Sequence, residues 1–169
     1  MKRLILMRHA KSDWSGTGDD HARTLNPRGI KSARVMGAWL EDQGWGPDEV
    51  LCSTATRTRQ TLDLLSLPDC PARFERALYL AEAEEMIAVL KTAELETVLV
   101  LGHNHGIAEC AHRLVKSRPD HPRFAAYPTC ATTLMTFDIE CWSALVSGTG
   151  SCAGFAVPRD IMDEGVPGA

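Results

Sequence analysis

What the 169-residue chain lacks sets its first limits. No segment approaches the roughly 18–20 consecutive apolar residues that span a bilayer, so no membrane-crossing helix is expected. There is no surplus of cationic charge. Eighteen Lys and Arg stand against 22 Asp and Glu, a formal net charge of −4, and that balance argues against the backbone-phosphate attraction behind nucleic-acid binding. Any anion site must therefore be local. No Cys-x-x-Cys pair and no Cys/His group with zinc-like spacing occurs, so no structural metal is expected. Internal repeats, low-complexity runs and long linkers are also missing. The opening Met1-Lys2-Arg3-Leu4-Ile5-Leu6-Met7 is expected to be a first strand and not an export signal, because Arg8 and His9 end its apolar stretch short of the roughly 7–15 residues required. Cys52, Cys70, Cys110, Cys130, Cys141 and Cys152 are accordingly expected as reduced thiols in a cytoplasmic protein.

The residues that are present suit one folded unit over 1–169. With 44% hydrophobic and 24% charged residues the chain can build an ordinary core, and its length lies within the roughly 100–200 residues typical of one domain. Leu4–Met7 is an apolar run fit for a buried parallel strand. A polar loop over 11–26 follows. Asn26-Pro27 then starts a helix as cap and first residue, with Ile30, Ala33, Gly37 and Leu40 at helical spacing before Gly44 stops it. Further along, Glu49–Cys52 reads as strand, Thr56–Leu65 as helix, Phe74–Leu80 as a poorer strand with a turn, and Glu82–Ala93 as an amphipathic helix. Thr97–Leu101 reads as strand, 107–115 as helix, and Ala131–Phe137 and Cys152–Val157 as final strands. Strands alternating with helices predict a three-layer α/β/α sandwich around a mostly parallel central sheet.

Polar clusters follow three of these strands directly: Arg8-His9, Ser53 to Arg59, and Gly102-His103-Asn104. In open α/β sheets ligands bind beyond the strand C-termini. Arg8, His9, Arg57 or Arg59, and His103 can therefore meet in one cationic pocket. Phosphate fits such a pocket, since Arg presents a planar fork to its oxygens and His supplies further donors.

Leu6-Met7-Arg8-His9-Ala10-Lys11-Ser12 resembles the Arg-His-Gly signature of the histidine phosphatase superfamily, the phosphoglycerate-mutase-like branch 1, with Ala10 in place of Gly. Ser53 to Thr61 is similar to its Ser-Pro-x-x-Arg-Ala-x-Gln-Thr motif, which selects Arg57 over Arg59, and Gly102-His103-Asn104 matches its second histidine motif. Short length and the Arg-His-Ala-Lys-Ser variant resemble the SixA-like phosphohistidine phosphatases. The resemblance implies a phosphoglycerate-mutase-like fold and an enzyme in which His9 is the nucleophile, Arg8, Arg57 and His103 hold the phosphoryl oxygens, and neither metal nor cofactor is needed. Ser15, standing where relatives carry a phosphate-contacting Asn, and Asn104 are implied substrate-binding residues.

One departure from the pattern bears on substrate. Mutases and many phosphomonoesterases of the superfamily carry a catalytic acid after a Leu-x-Glu triplet, where this chain has Leu78-Tyr79-Leu80. An alkoxide leaving group, with a conjugate-acid pKa of about 15, needs that acid far more than an imidazole at about 6.5. Glu82, Glu84 and Glu85 are near enough in sequence to supply one, although a solvated first helical turn is the simpler role for them. Only Glu82 to Gly102 separates this region from the second histidine, which leaves no room for the insertion that roofs the site in mutases. The expected substrate is thus phosphohistidine on a partner protein, with signal transduction as the context. A small-molecule phosphomonoesterase or phosphoramidate hydrolase of the same fold, and a non-catalytic phosphate-binding module, are the alternatives. Lys11, Ser12 and Trp14 are expected around the pocket, and His105 as a cap. Trp39, Trp45 and Trp142 are expected in the packing.

Overall fold

The computed structural model describes residues 1–16 and 18–165, with side chains as far as Met162. Six strands form one sheet in the order β3-β2-β4-β1-β5-β6. They are β1 (Lys2–Arg8), β2 (Glu49–Ser53), β3 (Ala72–Glu75), β4 (Thr97–Gly102), β5 (Thr132–Phe137) and β6 (Ser151–Ala156). The first four in chain order run parallel, β5 runs antiparallel to β1, and β6 runs antiparallel to β5. The sheet is therefore mostly parallel, with its reversed strand beside β1. β1 and β4 are buried on both faces, which is why their sequences are near-continuous aliphatic runs and not alternating ones.

Among the described residues five helices cover the two faces: α1 (Pro27–Asp42), α2 (Thr56–Leu64), α3 (Ala83–Leu90), α4 (Gly106–Leu114) and α5 (Pro158–Gly165). One core layer joins Ile5, Met7, Val50, Leu99 and Leu101 of the strands to Ala33, Met36 and Leu40 of α1. The other joins Leu4, Leu6, Val98 and Val100 to Met86 and Leu90 of α3 and to Ile107, Cys110, Ala111 and Leu114 of α4. Alternate residues of the same strand thus feed opposite layers, as a pleated strand requires. Asn26 caps α1 by accepting from the Gly29 N–H at 2.8 Å, and Gly44, at φ +74°, lets the chain leave the helix.

The predicted elements are present, with shifted ends. The poorer strand and turn expected over Phe74–Leu80 are β3, which begins two residues earlier, and a 3₁₀ turn at Arg76–Leu78 that carries Leu78 into the core while Phe74 stays exposed. The helix expected from Glu82 to Ala93 is shorter, because Lys91 already closes α3. α5 was not anticipated. Trp45 and Trp142 are buried, and the six cysteines are free thiols. No helix among the described residues is long and apolar enough to cross a membrane.

Candidate active site

Strand order alone brings the three polar clusters together. β2, β4 and β1 are neighbours, and each ends at the same edge of the sheet in Ser53, Gly102-His103 and Arg8-His9 respectively. His9 is fixed at backbone level: its N–H donates to the Gly102 carbonyl at 3.1 Å, and its carbonyl accepts from the Cys130 N–H at 2.9 Å. The His9 and His103 rings lie 5.2 Å apart, tilted by 52°. A pocket of about 380 Å³ opens over them, lined by Arg8, His9, Lys11, Ser12, Arg57, His103 and Asn104, among others.

The two rings are held in defined states. His9 Nδ1 lies 2.7 Å from the Ala10 carbonyl oxygen. A carbonyl only accepts, so Nδ1 carries the proton and Nε2 keeps its lone pair. Burial holds His9 well below the ordinary imidazole range, and the neighbouring His103, Arg8 and Arg57 push it further down against the opposing Ala10 contact. His103 Nε2 meets the Ser53 hydroxyl at 2.8 Å, while its Nδ1 is buried without a partner. Burial and Arg57 bring His103 down to about 3. Two neutral imidazoles thus face a pocket whose positive charge comes from Arg8, Arg23, Arg57 and Lys11.

Arg8 and Arg57 enter from different sides. Arg57 stands in the first turn of α2 and is only 2% exposed. Its two terminal nitrogens donate to the Asp20 carbonyl at 2.7 Å and the Asp20 carboxylate at 3.2 Å. Arg59, two residues on, points away and stacks on Phe74 at 4.5 Å. Arg8 donates to the Tyr127 carbonyl at 3.2 Å, the same oxygen that takes a 3.2 Å bond from the Asn104 amide. The Nε atoms of both arginines and Oδ1 of Asn104 are buried without partners, polar capacity that a bound anion and its water could use.

The structure does not bring every candidate inward. Ser15 is exposed, and its hydroxyl donates to Asp13 at 2.6 Å and not toward the pocket. Glu84 pairs with Arg113 at 2.8 Å on the surface. Glu85 accepts from the Glu82 N–H at 3.2 Å, and all three glutamates are exposed at the start of α3. His105 precedes α4 and is exposed.

Sequence reasoning missed Asp20, Arg23 and Tyr79. Asp20 is the carboxylate of the pocket lining. It accepts from the Tyr79 hydroxyl, from Arg23 at 2.8 Å and from Arg57, and the Tyr79 bond above all, with the two arginines, holds its carboxyl well below the usual range. Arg23 also donates to the Ser12 hydroxyl and lies over the exposed Trp14 ring at 3.5 Å. Polar residues in a loop give no periodic signal. The Arg-bearing loop before α1 was the clue available.

Gly29 shows how closely this loop is held. A Cβ there would lie 2.0 Å from the Lys11 carbonyl oxygen, so only glycine lets α1 start against the segment after His9. Among the described residues no group of three or more His, Cys, Asp or Glu side chains is placed to hold a metal ion.

Comparison with known proteins matches residues 4–79 to the family model of the histidine phosphatase superfamily, branch 1. An uncharacterised protein of Mycobacterium tuberculosis is 35% identical over 160 residues, covering 90% of this chain and 100% of that protein. Among solved structures, a Nakamurella multipartitia protein assigned as phosphohistidine phosphatase SixA superposes with a TM-score of 0.82 at 28% identity, over 93% of this chain and 96% of that one. A protein histidine phosphatase SixA complexed with tungstate shares the fold at TM-score 0.74 and 22% identity, over 94% and 98% of the two chains.

Proposed function

The chain belongs to the histidine phosphatase superfamily, branch 1, and from that membership we propose a metal-independent phosphatase acting on phosphohistidine in proteins through a covalent phosphohistidine intermediate. His9 Nε2 attacks phosphorus as the P–N bond to the substrate imidazole breaks. The electron pair of that bond leaves with the imidazole, which takes its proton from water. Water then attacks the phosphorus on His9, the P–Nε2 electron pair returns to the ring, the proton lost by the water passes to solvent, and phosphate departs. Arg8, Arg57 and the neutral His103, as N–H donors, hold the equatorial oxygens in both displacements, and the two arginines offset the charge that develops there, the part a divalent cation plays in other phosphoryl transfers. Lys11, Ser12 and Asn104 complete the contacts, and the substrate is reached from solvent in a cytoplasmic signalling setting.

The observation that carries the P–N reading is the state of Asp20. It is the carboxylate among the described pocket-lining residues, and it is held ionised by Tyr79, Arg23 and Arg57. An ionised carboxylate cannot protonate an alkoxide, and none of Glu82, Glu84 and Glu85 lines the pocket, Glu84 being paired with Arg113 and Glu85 with the Glu82 N–H. Substrates whose leaving group needs little protonation are therefore favoured. The deciding experiment compares phosphohistidine protein, phosphoramidate and sugar phosphates, in the presence of EDTA. Phosphohistidine is expected to give the highest kcat/KM. Preference for a sugar phosphate would overturn this reading.

A further inference from the structure

A second cleft of about 260 Å³ adjoins the active-site pocket, and the two share Lys11 and Thr129 as lining residues. Lys11, Arg28, Arg123 and Arg159 line it from four separate stretches of chain, with Ser32 and Pro128 between them and no described carboxylate. Lys11, Arg28 and Arg123 have exposed side chains and no ion pair among the described residues. Asp160, next in sequence to Arg159, is turned to His121 at 2.8 Å and to the Val157 N–H at 3.1 Å. Like charges gathered in one concavity repel each other unless an anion offsets them. In a chain with more acids than bases this clustering is a local exception.

We propose that this cleft binds acidic side chains flanking the phosphorylated residue of a protein substrate, an inference that rests on the phosphohistidine-protein reading. The contrast between the two cation sets supports it. Arg57 is a buried fork that meets a small anion in one fixed pose. Arg28 and Arg123 are exposed heads on flexible stems, suited to carboxylates arriving on a mobile chain. Because the clefts share Lys11 and Thr129, a chain whose phosphoryl group lies over His9 continues directly into the second one.

The test uses two phosphohistidine peptides, one with Glu flanks and one with Gln, on the wild-type protein and on an Arg28→Gln/Arg123→Gln variant. Phosphoramidate, which has no flank, reports basal activity and is expected to be turned over equally by both proteins. The wild type is expected to favour the Glu peptide roughly five- to tenfold in kcat/KM through KM, in line with a pair of exposed charge contacts. That preference should vanish in the variant and at high salt. Equal use of both peptides by the wild type, or a preference retained by the variant, would overturn the proposal. Binding of the unphosphorylated Glu peptide, by fluorescence anisotropy, decides the cleft independently. Tighter binding to wild type than to variant supports it, and equal binding overturns it. If neither phosphohistidine peptide is hydrolysed, the functional reading fails while the anisotropy comparison still judges the cleft.

Discussion

Asp20 and Arg57 are joined twice, the guanidinium donating to the carbonyl at 2.7 Å and to the carboxylate at 3.2 Å of the same residue. A negative charge thus stands on the arginine assigned to the phosphoryl oxygens. An incoming phosphate shares Arg57 with it or displaces it. Asp20→Asn removes the charge and keeps the carbonyl contact, so inorganic phosphate should inhibit about three- to tenfold more tightly, a gain of about 1 kcal/mol. Inhibition that weakened tenfold would show that Asp20 serves to aim Arg57 and not to oppose the anion.

His9→Ala should abolish both turnover and the acid-labile, base-stable phosphoenzyme trapped by rapid quenching. Undiminished phosphate release would reject His9 as nucleophile. Arg57→Ala should lower kcat by roughly 10²–10³, the cost of removing one preorganised charge partner of the transition state. Because the same charge develops in each displacement, phosphoenzyme formation and breakdown should slow together.

Replacing Glu82, Glu84 and Glu85 by Gln, singly, should leave phosphohistidine turnover within about twofold, as expected of side chains engaged at a helix start and on the surface. A hundredfold loss in any one of them would identify a general acid that moves inward on substrate binding.

The pH dependence follows from the two neutral histidines. Both have folded-state pKa values below the ordinary value, by burial first. Protons are therefore taken up preferentially by the unfolded chain once pH falls below about 6.5. Stability should be flat above neutral pH and decline as pH drops toward the folded value of about 3 for His103. At pH 5, His103 alone accounts for about 2 kcal/mol of that loss. Urea unfolding at pH 7.5 and at pH 5 measures the difference, and His103→Asn should flatten the slope. The acid limb of kcat/KM should likewise fall well below the ordinary imidazole pKa, and a limb near 6.5 would contradict a buried, neutral His9 acting as the proposed nucleophile.

Gly106→Ala should destabilise the fold by about 1–3 kcal/mol, as overpacking does. A Cβ there would lie 1.8 Å from the Ala81 carbonyl oxygen. Gly106 opens α4 three residues after His103, so kcat should fall as well, since the helix start can only move by dragging the histidine loop. Thermal unfolding and steady-state kinetics on one preparation check both.

Much of this was legible in the chain, for identifiable reasons. Leu4–Met7 and Thr97–Leu101 read as strands because both of their faces are covered, and Asn26-Pro27 marked a helix start through local chemistry alone. Arg8, His9, Arg57 and His103 could be gathered beforehand because each follows a strand end, or opens the helix after one, at one edge of a parallel sheet. Asp20 and Tyr79 could not. They lie 59 residues apart and meet through a hydroxyl–carboxylate bond between the start of one 3₁₀ turn, at Asp20–Ala22, and the residue that closes another, a pairing that no periodicity announces. The same holds for Tyr127, whose carbonyl gathers Arg8 and Asn104. Ser15 shows the converse limit: a position in a motif does not fix the direction of a side chain in an irregular loop, and Asp13 captures its hydroxyl.

The backbone of His9 is tied on both sides, to Gly102 and to Cys130, directly after the end of β1, an interior strand of the sheet. Its amide, buried and bonded to the Gly102 carbonyl, is expected to exchange slowly with deuterium. Asp20, Arg23, Tyr79 and Arg123 stand outside the strands and the long helices, where substitutions cost little stability. Loop positions that line the pocket can thus vary residue by residue while the His9 backbone stays in register.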